Sequence, residues 1–246
     1  MAKPVIYAYD GSYNGLMCCV FESFRRRETP VAVEILGREQ PSLFPVREIP
    51  TEEEKAERVK KSIPLKISLE AKELVEQVYL SCLGEKEVQI LRFLRLGYAV
   101  GGKVCEMLAQ EEVAVLKKAA LSLAREAHSL LGFIRFSQYD GVLMAAISPR
   151  NNVLPLIADH FCNRLSGETF MIFDKVHKVA LVYRDGRREF LSVENVEEPK
   201  ADPEEEAYRG LWRAFFQTIG IEGRRNPRCQ QNHLPLRYRE NMTEFR

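Results

Sequence analysis

The sequence predicts an α+β fold, in which a mixed sheet carries an inserted helical region and a C-terminal helix is followed by a basic tail. Strand-like segments occupy the beginning and the later part of the chain, and apolar residues recur at helical spacing between them. The chain has 246 residues, of which 46% are hydrophobic and 29% are charged, so a sizeable core can form.

The chain opens with the pattern of a strand, a helix and a second strand. Residues 5–9 predict a buried strand, and the turn Asp10-Gly11-Ser12 follows it. Apolar residues then recur at helical spacing over residues 13–27, and residues 31–36 predict the next strand. A βαβ arrangement is therefore expected at the start of the fold.

The middle of the chain is predicted to be helical. Residues 52–61 are charged throughout and predict an exposed helix or a linker, and amphipathic helices follow, ending with a long one over residues 111–130. Gly97, Gly102 and Lys103 match the spacing of a phosphate-binding P-loop, but Val104 replaces its hydroxyl residue and the preceding segment is helical. A helix, a glycine turn and a second helix are expected instead.

Strands return in the later part of the chain. Two are predicted around a turn at Asp140-Gly141, and a helix, another strand and a hairpin closed at Asp185-Gly186 follow. The predicted ranges are strands 133–136 and 142–147, helix 153–165, and strands 170–173, 179–183 and 189–193. An acidic connector over residues 194–206 is expected to lead to a helix over residues 207–219.

The domain organisation expected from these elements is one structural unit. Residues 1–194 are predicted to form the core, including a helical insertion at residues 52–131, and residues 195–246 are expected to pack on it.

Composition and charge exclude several classes of protein. Lys and Arg number 36 and Asp and Glu 35, so any site for a polyanion requires local segregation of charge. No apolar run approaches the roughly 20 residues that span a bilayer, and no signal peptide is evident, so a cytoplasmic protein without membrane association is predicted. The six Cys and four His show no ligand spacing, which predicts no metal site and no cofactor within this chain.

Three residues are the first candidates for catalysis. Asp10 follows a strand and precedes a helix, where α/β folds often bind ligands, although it can equally hold the turn while Ser12 caps the helix. Arg150 ends a predicted strand and His160 lies on the following helix. Single histidines on separate elements are more often structural than catalytic.

The basic tail carries the strongest signal for a nucleic-acid surface. Arginines alternate there with amides and aromatic residues, a composition that suits phosphates, base edges and unpaired bases. With Ser12 and Arg213, the candidate nucleic-acid-binding residues are Arg224, Arg225, Asn226, Arg228, Gln230, Arg237 and Tyr238. The alternative is a packed tail whose arginines pair with the acidic connector.

Three blocks of the sequence carry a family resemblance. They are residues 9–15 with 20–22, residues 132–136 with 148–161, and residues 211–213 with 226–230 and 234–239. Together they resemble a bacterial family of uncharacterised DNA-metabolism proteins. Relatives tend to end the third block with a tryptophan, where this chain has Arg239, so stacking at that position is not expected.

The resemblance implies an association with DNA repair or modification. Such proteins usually accompany a radical-SAM protein, and related domains occur fused to a module similar to uracil-DNA glycosylase. We therefore predict a DNA-binding accessory or adaptor protein that acts with a radical-SAM partner. The alternatives are an enzyme that removes a base or cleaves nucleic acid, and a scaffold on which Trp212 and Phe215 dock a protein.

Overall fold

The computed structural model describes residues 4–37, 42–194, 203–224 and 226–245, and it confirms the α+β class. The chain divides into two compact units, Met1–Leu123 and Ala124–Arg246. The predicted core over residues 1–194, with residues 195–246 packed on it, stays a prediction. The described strands form two separate sheets because the early strands pair with one another rather than with the later ones.

The first unit begins with a small parallel sheet. Strand β1 (Ile6–Tyr9) lies between β2 (Ala32–Ile35) and β3 (Val46–Glu48), and helix α1 (Tyr13–Arg26) connects β1 to β2. The predicted βαβ arrangement is therefore confirmed. All four residues of β1 are buried, as its apolar sequence requires for a strand covered on both faces.

Helices complete the first unit. They are α2 (Glu53–Lys66), α3 (Leu69–Leu80), α4 (Lys86–Val100) and the first part of α5 (Glu111–Phe133). The charged segment after residue 52 is a helix, with Ala56, Val59 and Ile63 buried on one side. The glycine stretch ends α4 and leads into a 3-10 turn, Gly101–Glu106, so it follows a helix as expected and not the strand that a P-loop needs.

The second unit contains a five-stranded mixed sheet. Its strands are β4 (Ser137–Tyr139), β5 (Val142–Ile147), β6 (Phe170–Asp174), β7 (Val179–Arg184) and β8 (Arg187–Ser192). They lie in sequence order, and only β5 and β6 are parallel because helix α6 (Leu154–Arg164) connects them. The strand expected at residues 133–136 begins instead at Ser137, since α5 extends to Phe133.

Both predicted hairpin turns are present in this sheet. Asp140 and Gly141 have φ values of 46° and 80°, and Asp185 and Gly186 have 50° and 74°. Two consecutive residues with positive φ are typical of a type I′ turn, whose twist matches that of the paired strands. An Asp-Gly pair favours this conformation in each case.

The C-terminal segment consists of short helices. Helix α7 (Pro203–Thr218) is followed by a 3-10 turn at Glu222–Arg224, by α8 (Pro227–His233) and α9 (Leu236–Arg239), and by a last turn at Thr243–Phe245. Most of the acidic connector, residues 195–202, lies outside the described residues, and α7 begins earlier than the predicted residue 207. Among the helices described, none is both long enough and apolar enough to cross a membrane.

Substitution of Gly15 is expected to destabilise the first unit. A Cβ atom at this position would lie 2.3 Å from Oδ1 of Asp10 and 2.9 Å from Cδ2 of Tyr9. Tyr9 is buried and has no room to move, so Gly15→Ala should lower the free energy of unfolding by roughly 1–3 kcal/mol in urea denaturation. Gly84→Ala, where nothing lies within 4 Å, is the control and should change it by less than about 0.5 kcal/mol. Equal effects of the two changes would contradict the clash.

Candidate nucleic-acid interface

An open pocket lies on one face of the five-stranded sheet in the second unit. Alternate residues of a strand point to the same face, and the paired strands β5 and β6 therefore supply a continuous apolar floor. In the register of these strands Met144 is opposite Met171, and Ala146 is opposite Phe173. The intervening Ala145 is buried and also belongs to the pocket lining. We refer to the four paired residues as the pocket floor.

Charged side chains surround the pocket floor. The lining includes four cations and one carboxylate: Arg135, Lys175, Arg209 and Arg213, with Glu206. We refer to these four cations as the cationic rim. Ser137, Tyr139, Asn241 and Thr243 add polar groups to the lining. The pocket therefore combines an apolar floor with a predominantly cationic edge, although the chain as a whole is close to neutral.

Arg209 is fixed in place by three hydrogen bonds. Its Nη2 donates to Ser137 Oγ at 2.9 Å and to Tyr139 Oη at 2.7 Å, and its Nε donates to Glu205 Oε1 at 2.9 Å. Burial alone would lower the pKa of Arg209, but the hydrogen bonds with Tyr139 and Glu205 raise it. The guanidinium therefore keeps its charge and a defined orientation beside β4.

Arg135 is held from the opposite side by a buried carboxylate. Its Nη2 lies 2.8 Å from Oε1 of Glu244, whose side chain is almost fully buried. Trp212 Nε1 donates to the other carboxylate oxygen at 3.2 Å, and the Arg135 guanidinium lies 5.9 Å from the Trp212 ring centre. Burial alone would raise the pKa of Glu244, but its hydrogen bonds with Arg135 and Trp212 lower it, so this carboxylate is ionised.

Lys175 and Arg213 complete the cationic rim. Lys175 Nζ donates to Asn241 Oδ1 at 3.1 Å, and Asn241 in turn donates to Ser148 Oγ at 3.1 Å. Arg213 Nη2 donates to Glu206 Oε1 at 3.1 Å, in an ion pair with both side chains partly exposed. An exposed pair contributes little to stability, which leaves the Arg213 guanidinium able to exchange its partner for an anion.

A buried carboxylate behind these groups joins three segments of the second unit. Glu126 of α5 accepts the backbone N–H of Arg150 at 3.1 Å and that of Asn151 at 2.8 Å. It also accepts the Asn151 side-chain amide at 2.6 Å and the Tyr238 hydroxyl at 3.1 Å, and Arg237 Nη2 lies 3.2 Å away. We refer to these five residues as the Glu126 network.

The Glu126 network explains why its carboxylate is stable inside the protein. Burial alone would raise the pKa of Glu126, but the hydrogen bonds from Asn151 and Arg150, with the charge of Arg237, lower it. A buried charge is tolerated when its lone pairs are satisfied in this way. The network thereby fixes the loop between β5 and α6 and the C-terminal segment to the end of α5.

The structure distributes the predicted nucleic-acid-binding residues among different roles. Arg224, Arg228 and Gln230 are exposed, and their side chains have no partner among the residues that the structure describes. Asn226 instead caps α8 by accepting the N–H of Cys229 at 3.0 Å. Arg225 lies outside the described residues.

Two residues of the predicted tail surface are structural. Tyr238 is buried, with 4% of its surface exposed, and its hydroxyl bonds to Glu126. This placement differs from the predicted role in base stacking, because the buried ring presents no free face to a base. Arg237 Nη2 donates to the Tyr238 hydroxyl at 2.6 Å and forms an ion pair with Glu126.

Ser12 and Asp10 belong to the first unit and hold the turn after β1. Asp10 accepts the Ser12 N–H at 2.9 Å, the Ser12 hydroxyl at 2.7 Å and the Thr51 hydroxyl at 2.8 Å. Ser12 accepts the N–H of Gly15 at 2.9 Å and so caps α1, as its alternative role predicted. Burial alone would raise the pKa of Asp10, but its bonds with Ser12 and Thr51 lower it, and all three bonds serve the turn.

The three candidate catalytic residues do not all belong to the same unit of the chain. Asp10 lies in the first unit, whereas Arg150 and His160 lie in the second. Neither Arg150 nor His160 is among the residues that line the pocket on the mixed sheet. His160 is exposed on α6, and its ring packs edge-on against Phe161.

Cysteine and histidine residues form no metal-binding cluster within the described ranges of the chain. Cys18, Cys19 and Cys105 are buried, whereas Cys82 and Cys229 are exposed. Burial raises the pKa of the Cys105 thiol, so it is protonated near neutral pH.

Several residues of the pocket were not identified from the sequence. Arg135 belongs to a block of the family resemblance but was assigned to a strand, and Lys175 carried no signal of its own. The spacing of four residues between Glu205, Arg209 and Arg213 does place them on one face of a helix. This spacing is the feature of the sequence that indicates a polar helix face.

Comparison with known proteins identifies one family. A family model for a domain of unknown function, DUF4130, matches residues 84–244. A search of curated proteins gives no match. The matched residues include the whole pocket and the Glu126 network.

The Glu126 network is expected to make stability depend on pH. Because the folded state lowers the pKa of Glu126, its contribution is present above the ordinary pKa of 4.5 and is lost as the pH falls below that value. Glu126→Gln should lower the free energy of unfolding at pH 7 by about 2 kcal/mol, since two backbone N–H groups and the partly exposed Arg237 lose a buried anion.

Urea denaturation at pH 7 and pH 4 measures this effect. The difference between the unmodified protein and Glu126→Gln should be smaller at pH 4. Glu111→Gln, which changes an exposed glutamate at the start of the same helix, serves as the control. A difference between the two proteins that is independent of pH would contradict an ionised Glu126.

Proposed function

The chain belongs to the DUF4130 family, and we propose that it is a DNA-binding accessory protein whose pocket on the mixed sheet receives an unpaired nucleotide. The observation that carries the proposal is the combination of pocket floor and cationic rim. Two methionines and a phenylalanine offer polarisable, apolar surface to a base, and guanidinium groups suit phosphate oxygens.

An unpaired nucleotide fits this pocket better than a base pair. The pocket floor lies within a concave surface on the sheet, and a base in a duplex is stacked on both faces. Contact with the floor therefore requires a base that is single-stranded or turned out of the helix. This supports a preference for single-stranded or locally opened DNA.

The proposed interface also includes three exposed residues of the tail, Arg224, Arg228 and Gln230. Arg224 and Arg228 have no partners among the described residues, so contacts with phosphates need not displace an internal ion pair. Gln230 adds an amide that can bond to phosphate or to a base edge. Arg225, which is outside the described residues, belongs to the same stretch of sequence.

The accessory role rests on the family resemblance. The resemblance implies a radical-SAM partner and a process of DNA repair or modification. In this proposal the chain holds the nucleotide and the partner performs the reaction. A protein with this role needs affinity and orientation in its own pocket rather than a catalytic group.

Binding of DNA is expected to depend on Arg213, whose ion pair with Glu206 is partly exposed and can be exchanged for a phosphate. Arg213→Ala should weaken binding of a fluorescein-labelled single-stranded oligonucleotide about tenfold, which corresponds to the loss of one charge-assisted hydrogen bond. Fluorescence anisotropy at several salt concentrations measures the change, and the affinity should fall as salt increases.

The matched control for this measurement is Arg184→Ala. Arg184 is also a surface arginine in an ion pair, with Asp185, but it lies at the hairpin turn and does not line the pocket. Its loss should change the affinity less than twofold. Equal weakening by both substitutions, or tighter binding to duplex than to single-stranded DNA, would contradict the proposed site.

Trp212 provides a second measurement at the same site. It is the only tryptophan of the chain, and it contacts both Arg135 and Glu244. An anion that reaches Arg135 should change the surroundings of the indole and shift or quench its emission. Binding detected by anisotropy without any change in Trp212 emission would place the DNA elsewhere on the protein.

A further inference from the structure

Helix α7 has an apolar face that the described protein leaves uncovered. Tyr208, Leu211, Phe215 and Ile219 are 61%, 66%, 54% and 59% exposed. Their spacing of three and four residues places them along one side of the helix and just beyond its end. We refer to these four residues as the outer face of α7. None of the 16 residues of α7 is buried.

The opposite face of the same helix is attached to its own unit by polar contacts. Arg209 and Glu205 bond to each other and to β4, since Glu205 also accepts the N–H of Gln138 at 3.1 Å. This face includes Arg213 at the next turn. Glu205 and Arg209 are therefore turned towards the sheet, and Trp212 and Phe216 pack on the C-terminal segment, whereas the outer face remains exposed. The outer face is not available to the pocket that the polar face lines.

The outer face has the pattern of a helix-pairing seam. Tyr208, Leu211 and Phe215 follow the alternating spacing of three and four residues that is typical of positions a and d in a coiled coil. A contiguous row of large apolar side chains exposed on a protein surface marks an interaction site more often than a free surface. The partner element that best matches such a seam is another amphipathic helix.

Charges at the two ends of the seam indicate which helix pairs with it. Glu204 precedes Tyr208 by four residues on the same face, and Arg224 and Arg228 follow the other end. All three are exposed and have no side-chain partner within the part of the chain that the structure describes. The seam is thus acidic at its beginning and basic after its end.

This distribution of charge is complementary to that of a second copy of the chain when the two α7 helices run in opposite directions. We infer that the chain forms a symmetric homodimer in which the outer faces of two α7 helices pack antiparallel. Glu204 of each copy then lies towards Arg224 of the other, and the helix dipoles are aligned favourably. A parallel pair would instead place Glu204 beside Glu204.

The homodimer is tested by sedimentation velocity over a series of protein concentrations, without DNA. The protein should change from monomer to dimer as the concentration increases. Leu211→Glu should raise the dissociation constant at least tenfold, because it places a carboxylate in the centre of an apolar seam. Leu236→Glu is the matched control, since Leu236 is 61% exposed on α9 and outside the seam.

A charge exchange tests the antiparallel orientation. Glu204→Arg and Arg224→Glu should each weaken the dimer, and the double variant should restore it to within about threefold of the original dissociation constant. Circular dichroism checks that each variant keeps its helical content. Weakening by both single changes without restoration by the double change would overturn the antiparallel arrangement.

Two other results would overturn the inference as a whole. One is a protein that stays monomeric at every concentration, including the case in which it associates only with a different protein. The other is a dimer that Leu211→Glu leaves unchanged, because such a dimer uses another surface. Neither result bears on the proposed nucleotide pocket, which is lined by residues of the mixed sheet, the polar face of α7 and the C-terminal segment.

Discussion

The ionised carboxylate of Glu126 is the constraint on which the second unit depends. It accepts hydrogen bonds from the loop after β5 and from the C-terminal tyrosine, although these groups are far apart in the sequence. Each hydrogen bond alone contributes little to the free energy of folding. The buried carboxylate nevertheless needs all of them, because an incompletely bonded charge is unstable inside a protein. The loop, the end of α5 and the tail are therefore fixed together. Ser148, which belongs to that loop, continues this order to Asn241 and Lys175 at the pocket.

Polar contacts also distinguish the two sides of α7. Arginines and glutamates attach the helix to the sheet through pairs that also shape the pocket, so the residues that stabilise the helix are those proposed to meet a ligand. Glu244 illustrates the arrangement, since one buried carboxylate orients both Arg135 and Trp212. An anion bound at the rim would act on a network that is already charged and ordered, which limits the cost of reorganisation.

Local features of the fold were predictable because they depend on short-range rules. The Asp-Gly pairs indicated both hairpin turns, and helical spacing located α1, α5 and α7 to within a few residues. The beginning of β4 was misplaced because Phe133–Phe136 contains apolar residues that suit a helix end and a strand equally. The division into two sheets depends on which strands pair, and pairing between distant segments leaves no mark on local periodicity.

The candidate site was less predictable than the fold for a related reason. Arginines in the tail could be identified as cations, but their sequence does not show which ones meet an internal carboxylate. Arg237 pairs with Glu126 from more than a hundred residues away in the chain, whereas Arg228 has no such partner among the described residues. The pocket floor carried no signal, because Met144 and Met171 are ordinary strand residues until the register of β5 and β6 brings them together.

Tyr238 donates one of the hydrogen bonds of the Glu126 network, and this has a consequence for folding during synthesis of the chain. Synthesis proceeds from the N-terminus, so Glu126 leaves the ribosome long before the residue that completes its shell of donors. Until Tyr238 has left the ribosome, the second unit lacks one hydrogen bond to its buried Glu126 carboxylate. Completion of this half of the molecule therefore waits for the synthesis of Tyr238, and a chain that stops before Tyr238 would present an unfinished core to the proteases that remove incomplete products.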